Sequence, residues 1–206
     1  MKEDNEIDRR EFIKRSVLFG VVLSMPVLSS CGKDDPVNPQ DDCITTADIL
    51  GPFYKAASPL KEDIIPAGNL EPPLIIKGKV LSDCSNGLKD AQIEIWNADG
   101  DGVYDTSEDF KFRGKYQTQD DGGYQFKTII PGRYLNGGVF RPSHIHFRIT
   151  APGFQELVSQ IYFKDDPFIQ TDPWASDSKA FERILLVKKN ADNIDTVTFN
   201  IYLTAL

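Results

Sequence analysis

Beyond residue 73 the chain alternates apolar and polar positions with a period close to two. Residues 74–81 (LIIKGKVL) form an apolar run, and Ala91, Ile93 and Ile95 alternate with Gln92 and Glu94. The turn Asp120-Asp121-Gly122-Gly123 reads as a hairpin turn leading into residues 124–130. Residues 143–150 alternate, residues 157–163 follow, and residues 197–203 close the chain, with a further strand-like stretch over 110–116. Side chains two apart share one face of a strand. Short strands joined by Gly-, Asp- and Pro-rich turns predict an all-β fold, a β-sandwich with short helical and loop insertions. One helix is expected over residues 176–186, after Asp172-Pro173. No linker divides residues 74–206, which reads as one domain.

The N-terminal region has a different pattern. Residues 16–30 (SVLFGVVLSMPVLSS) are apolar, but Pro26 interrupts them and the run is shorter than the roughly 20 residues a spanning helix needs. Leu28-Ser29-Ser30-Cys31 resembles a lipobox, in which cleavage precedes a cysteine that receives lipid. Upstream, Arg9-Arg10-Glu11-Phe12-Ile13-Lys14 resembles a twin-arginine export signal. Residues 32–42 (GKDDPVNPQDD) lack apolar periodicity and read as a flexible tether. The expected organisation is an export signal over 1–30, a tether over 31–42 beginning at the lipidated Cys31, and the sandwich over 43–206. The expected location is exported and lipid-anchored to a bacterial membrane, on its periplasmic or cell-surface face. With Cys31 assigned to lipid, Cys43 and Cys84 are left as a pair, and an exported domain favours a disulfide between them.

A chain of 206 residues is long enough for one well-buried domain plus a leader. Its net charge of −8 argues against nucleic acid and against anionic membrane surfaces as partners, leaving membrane contact to the lipid anchor.

Both histidines of the chain lie in Arg141-Pro142-Ser143-His144-Ile145-His146-Phe147. On a strand His144 and His146 share a face, roughly 6.5–7 Å apart at the backbone, and their imidazoles can meet on one metal ion. The pair alone also fits two buried, hydrogen-bonded rings, and it does not choose between zinc and copper. A rival motif, Asn97-Ala98-Asp99-Gly100-Asp101-Gly102 followed by Glu108, nearly fits an EF-hand calcium loop. The strand-like flanks and Tyr104 at the eighth loop position argue against it, and a tight turn explains the Gly and Asp content.

Six stretches occur in one order: Gly51-Pro52-Phe53-Tyr54, residues 95–104, Phe112-Arg113-Gly114, residues 128–134, residues 141–147 and residues 159–163. Over about residues 43–206 the chain resembles the intradiol ring-cleavage dioxygenases, the family of protocatechuate 3,4-dioxygenase and catechol 1,2-dioxygenase. The resemblance implies a non-haem Fe(III) held by Tyr104, Tyr134, His144 and His146. Arg141 and Gln160 match family residues beside the substrate, and Gly51, Pro52, Phe53 and Tyr54 match a segment that lines the pocket. A catechol would chelate the iron, displacing the Tyr134 phenolate. O2 would then attack the activated ring, which opens between its hydroxyl-bearing carbons to a cis,cis-muconate-type diacid. Arg141 would stabilise negative charge on the ring. The chemistry is consistent with this donor set. Phenolates are hard anionic donors suited to Fe(III), and a tyrosine with a pKa of about 10 ionises at neutral pH only beside a strong Lewis acid.

Two departures from the family limit what carries over. The interval from Tyr134 to His144 is ten residues, shorter than in the well-known members, so the preferred catechol does not transfer. The N-terminal helical dimerisation region of catechol 1,2-dioxygenases has no counterpart, which leaves a homo-oligomer open. Two other classes fit the sequence: a non-catalytic exported β-sandwich that binds a ligand, and a calcium-binding module.

Overall fold

The computed structural model describes residues 43–206. The expected export signal over 1–30, the lipidation site Cys31 and the tether over 31–42 lie outside the described residues. No helix among the described residues is long and apolar enough to cross a membrane.

The described chain is built almost wholly of strands, in the order β1 (Pro73–Leu81), β2 (Gln92–Trp96), β3 (Arg113–Gln117), β4 (Gly123–Ile129), β5 (Leu135–Asn136) and β6 (Val139–Phe140). There follow β7 (His144–Thr150), β8 (Leu157–Phe163), β9 (Ile184–Leu185), β10 (Lys188–Lys189), β11 (Asp195–Thr198) and β12 (Ile201–Tyr202). One sheet runs β3-β2-β7-β8-β9. The other is organised on β1, which pairs antiparallel with β4 and parallel with both β11 and β12, with β10 against β11. The expected β-sandwich is the observed fold.

Period-two patterning explains the core. Leu74, Ile76 and Val80 of β1 and Tyr124 and Phe126 of β4 pack against Ile93, Ile95, Ile145, Phe147, Ile149 and Ile161 of the opposite sheet. Each such side chain contributes about 1.5–3 kcal/mol by leaving water. The outward positions of β1, Lys77 and Lys79, are exposed, as expected of a sheet with one solvated face. Strand β7 differs. Its inward residues are apolar, yet its outward residues His144 and His146 are buried as well. Residues 44–54 form a strap that covers this outer face. Asp48 N–H donates to Val158 O at 2.8 Å, Ser159 Oγ to Thr46 O at 2.9 Å, and Gln160 Nε2 to Ile49 O at 2.7 Å.

Three local expectations are corrected. The turn over 120–123 does not close a hairpin, because β3 and β4 belong to different sheets. Val80 N–H donates to Gly122 O at 2.9 Å, and a Cβ on Gly122 would lie 2.3 Å from Val80 O, so the turn packs on the end of β1 and carries the chain across. The helix expected over 176–186 is a single short 3-10 helix, Ser178–Arg183, capped by the Asp177 side chain. Ile184 and Leu185 leave it to pair with Tyr162 and Phe163 of β8. The closing strand over 197–203 is broken between β11 and β12, where Phe199 O sits 1.9 Å from the place a Cβ on Gly78 would take. The Cys43–Cys84 disulfide is formed, with Cα atoms 5.2 Å apart.

Candidate metal centre

The outer face of the β7 sheet carries the site. Register places His146 beside Trp96 of β2 and Gln160 of β8, and His144 beside Tyr162. Tyr104 enters from the loop after β2. That loop turns tightly: Asp99 Oδ1 accepts the N–H groups of Asp101 at 3.0 Å and Val103 at 2.9 Å. Its flanks are strands, not the helices of an EF-hand. Gly132 N–H donates to Asp99 O at 2.8 Å, and a Cβ on Gly102 (φ +80°) would lie 2.2 Å from Arg133 O. Gly102 of the EF-like motif and Gly132 therefore let two backbones touch, which brings the Tyr104 loop against the segment bearing Tyr134.

Three donor atoms converge. Tyr104 Oη lies 3.0 Å from His144 Nε2 and 3.1 Å from His146 Nε2. Donors bound to one ion at about 2 Å stand roughly 3 Å from each other. His144 Nδ1 donates to Pro142 O at 2.7 Å, so its Nε2 offers a lone pair. His146 Nδ1 is buried and makes no well-formed hydrogen bond, although the Ile49 backbone favours a proton on this ring. If its proton sits on Nε2, Nδ1 is a bare buried acceptor. If it sits on Nδ1, two lone pairs compete for the single Tyr104 proton. A cation inside the triangle would accept a lone pair from each of the three atoms, while His146 Nδ1 is left as it was. Tyr134, half-buried, stands edge-on to Tyr104 with ring centroids 5.7 Å apart. Among the described residues no group of three or more His, Cys, Asp or Glu gathers for a metal, and the third donor atom beside the two histidines is that of Tyr104.

Burial sets the charge states. It pushes the Tyr104 phenol up, against the pull of Arg141 and Arg113, so only a strong Lewis acid would ionise it. It pushes His144 down to about 4, aided by the Arg141 charge and opposed by the Pro142 carbonyl. His146 falls well below the ordinary value through burial first, then His144, Arg141 and Arg113. Both rings are thus neutral at pH 7, the form that binds metal. The linkage is directional. Between about 4 and 6.5 the unfolded chain binds the His144 proton and the folded chain does not, so metal-free stability falls as pH drops through that window. From His144 alone the expected loss between pH 7 and pH 4 is about 3 kcal/mol. Urea unfolding of metal-free protein at the two values measures it, against a His144→Asn variant that should lose less.

The strap closes the site. Phe53 stacks on Tyr104, with centroids 4.4 Å apart and planes 9° apart, while Trp96 stacks on His146 at 4.8 Å and 8°. Gly51 (φ +74°) passes so close that a Cβ would lie 3.0 Å from His146 Cε1. Tyr54 Oη reaches Glu94 at 3.3 Å and accepts from Arg148 Nη1 at 3.2 Å; Pro52 is exposed. Arg141 is buried in an ion pair with Asp172. Gln160 is fully buried, with its Oε1 3.3 Å from Tyr162 Oη. A cavity of about 540 Å³ opens between the strap and the 173–183 segment, bounded by Ile49 and Trp174. A larger one of about 730 Å³ lies among Pro131, Arg133, Ser143 and Phe163. None of the four candidate ligands lines either cavity. Sequence reasoning did not find Trp96, Tyr162, Asp48, Asp172 or Arg183. The one signal for Trp96 was its place on β2, a large aromatic at a position that alternation assigns to the polar face.

The model of a family described as dioxygenase matches residues 49–205. A hydroxyquinol 1,2-dioxygenase of Nocardioides simplex is 32% identical over 198 residues, covering 85% of this chain and 65% of that protein. A chlorocatechol 1,2-dioxygenase of Cupriavidus pinatubonensis is 30% identical over 149 residues, covering 62% of this chain and 58% of its own length. The chain thus spans less than two thirds of either relative. Among solved structures, the dioxygenase domain of a dioxygenase–carbohydrate-binding fusion from Streptomyces sp. SirexAA-E superposes with a TM-score of 0.69 at 29% identity, covering 79% of this chain and 99% of that one.

Proposed function

The chain belongs to the intradiol ring-cleavage dioxygenase family, and from that premise we propose that it opens the ring of a catechol-type substrate between the two hydroxyl-bearing carbons. The observation that carries the reading is the convergence of Tyr104 Oη, His144 Nε2 and His146 Nε2, with the phenol oxygen 3.0 and 3.1 Å from the two nitrogens. Those three residues, with Tyr134, are the set that would hold Fe(III). When bound, the ion would supply the Lewis acidity that ionises a catechol and draws electron density from its ring, opening the ring to O2.

The chain's own groups have separate tasks in this reading. The Pro142 carbonyl fixes the His144 tautomer, keeping the Nε2 lone pair inward. Tyr134 Oη, outside the hydrogen-bonded triangle, is the group that would accept a proton from an arriving catechol hydroxyl. Phe53 and Trp96 cover the ring faces of Tyr104 and His146 and exclude water. Arg141 stabilises charge as it develops on the substrate ring, a transition-state role.

Oxygen uptake by iron-loaded protein, across catechol, chlorocatechols, hydroxyquinol and protocatechuate with product identification, tests the proposal. The expected result is one O2 consumed per ring and a cis,cis-muconate-type diacid. Red-brown protein that binds catechols yet consumes no oxygen with any of them would favour a ligand-binding module, and colourless protein that takes up no iron would end the metal reading.

A further inference from the structure

The guanidinium of Arg141 is fixed on three sides. Nε donates to Asp172 Oδ2 at 2.7 Å, and Nη2 donates to Asp172 Oδ1 at 3.3 Å and to Tyr162 Oη at 3.2 Å. The Trp174 ring lies across the group, with Cζ 4.5 Å from its centroid. The Asp172 side chain is 1% exposed. Its Oδ1 also accepts the N–H groups of Trp174 at 3.0 Å and Ala175 at 2.8 Å. One carboxylate therefore orients the guanidinium and the turn that presents Trp174 to it. Tyr162 is oriented in turn, because its proton goes to Asp48 Oδ2 at 2.8 Å and a lone pair is left for Arg141. Of the Arg141 side-chain nitrogens, Nη1 alone has no hydrogen-bond partner among the described residues.

A buried ion pair is a weak source of stability, since desolvation offsets much of the attraction. A two-point contact to a planar guanidinium does, however, set its orientation in space. Tyr162, which accepts from Arg141 Nη2, has its ring centroid 6.2 Å from that of His144, so the locked group stands beside the candidate ligands.

We propose that Asp172 is a positioning residue of the ring-cleaving reaction: it locks Arg141 so that Nη1 alone is offered to the substrate, and it sets Trp174 as the wall over the same guanidinium. The inference rests on the ring-cleavage reading of the site. Asp172 acts through Arg141 and makes no contact with the reacting atoms.

Asp172→Asn keeps the volume and the oxygen that caps the turn, but it sets an amide donor against Arg141 Nε. The expected result is unchanged iron content and tyrosinate colour, catechol affinity by spectral titration within about threefold, and kcat lower by roughly 10–100-fold, less than the 10²–10³ of a deleted donor. In an Arg141→Lys background, which has no fork to align, the same change should cost no more than about threefold. Wild-type kcat in Asp172→Asn overturns the proposal. So do losses that multiply in the double variant, or a kcat loss accompanied by lost iron and lost near-UV circular dichroism, which would make the carboxylate structural. Iron-loaded wild type that leaves every catechol intact is a separate result, read on the wild type alone, and it removes the ring-cleavage reading and this inference with it.

Discussion

Tyr104→Phe protein is expected to retain no red-brown colour and to bind Fe(III) more than about 100-fold more weakly, beyond the usual effect of losing a supporting hydrogen bond around a metal. The substitution removes one atom, Oη, the point on which both Nε2 atoms converge at 3.0 and 3.1 Å. It leaves the ring volume and the stack with Phe53 intact, so no cavity forms. It also takes from both buried imidazole Nε2 atoms their one hydrogen-bond partner, so the metal-free form should lose about 1–3 kcal/mol of stability. His146→Ala should lose iron to a similar extent for a different reason. It deletes a donor and leaves a void beneath Trp96, so its stability should also fall, by about 2–4 kcal/mol. Metal analysis after dialysis, the visible spectrum and urea unfolding read the three quantities. Full iron and unchanged colour in both variants would remove the site described here.

How much of this was legible in the sequence depends on the range of the interaction. His144 and His146 could be placed on one face because alternation along a strand is local, and the core residues of β1, β2, β4, β7 and β8 followed from the same rule. What covers each face was not local. Glu94 reads as a solvent-facing residue of an alternating strand, yet it is buried under Tyr54 and paired with Arg148 at 2.7 Å. The resemblance singled out Tyr104 and Tyr134, but periodicity did not, since both lie in loops joined by close backbone approaches at Gly102 and Gly132. Asp172 was visible only as a residue before a proline, because its partner Arg141 lies 31 positions away. The expected helix failed for a comparable reason. Ile184 and Leu185 satisfy their backbone groups against β8, a partner that no local pattern announces.

Removing the Cys43–Cys84 bond, as Cys43→Ala with Cys84→Ala, should lower stability by about 3–4 kcal/mol and leave the iron site formed at 25 °C. The two cysteines are 41 positions apart, and in the chain-entropy model a closed loop of that length costs the unfolded state freedom worth this amount. For a domain of this size the loss corresponds to a fall of roughly 8–15 °C in Tm. The effect should fall on the unfolded state, because the strap that begins at Cys43 has other attachments near its start. Tyr202 N–H donates to Thr45 Oγ1 at 2.8 Å and Thr45 N–H to Tyr202 O at 3.3 Å, while Asp48 and Ile49 are held to β8 through their backbones. Arg183 also donates to Asp48 Oδ2, in a pair whose side chains are 3% and 1% exposed. These contacts keep Gly51 and Phe53 over His146 and Tyr104 as long as the sandwich is folded. Thermal unfolding of the double variant, compared with wild type under non-reducing conditions and alongside iron content, separates the two contributions. A Tm shift with colour retained supports this account. Colour lost at 25 °C from a folded sandwich would mean that the disulfide itself holds the strap on the site, and an unchanged Tm would mean that the bond contributes nothing to stability.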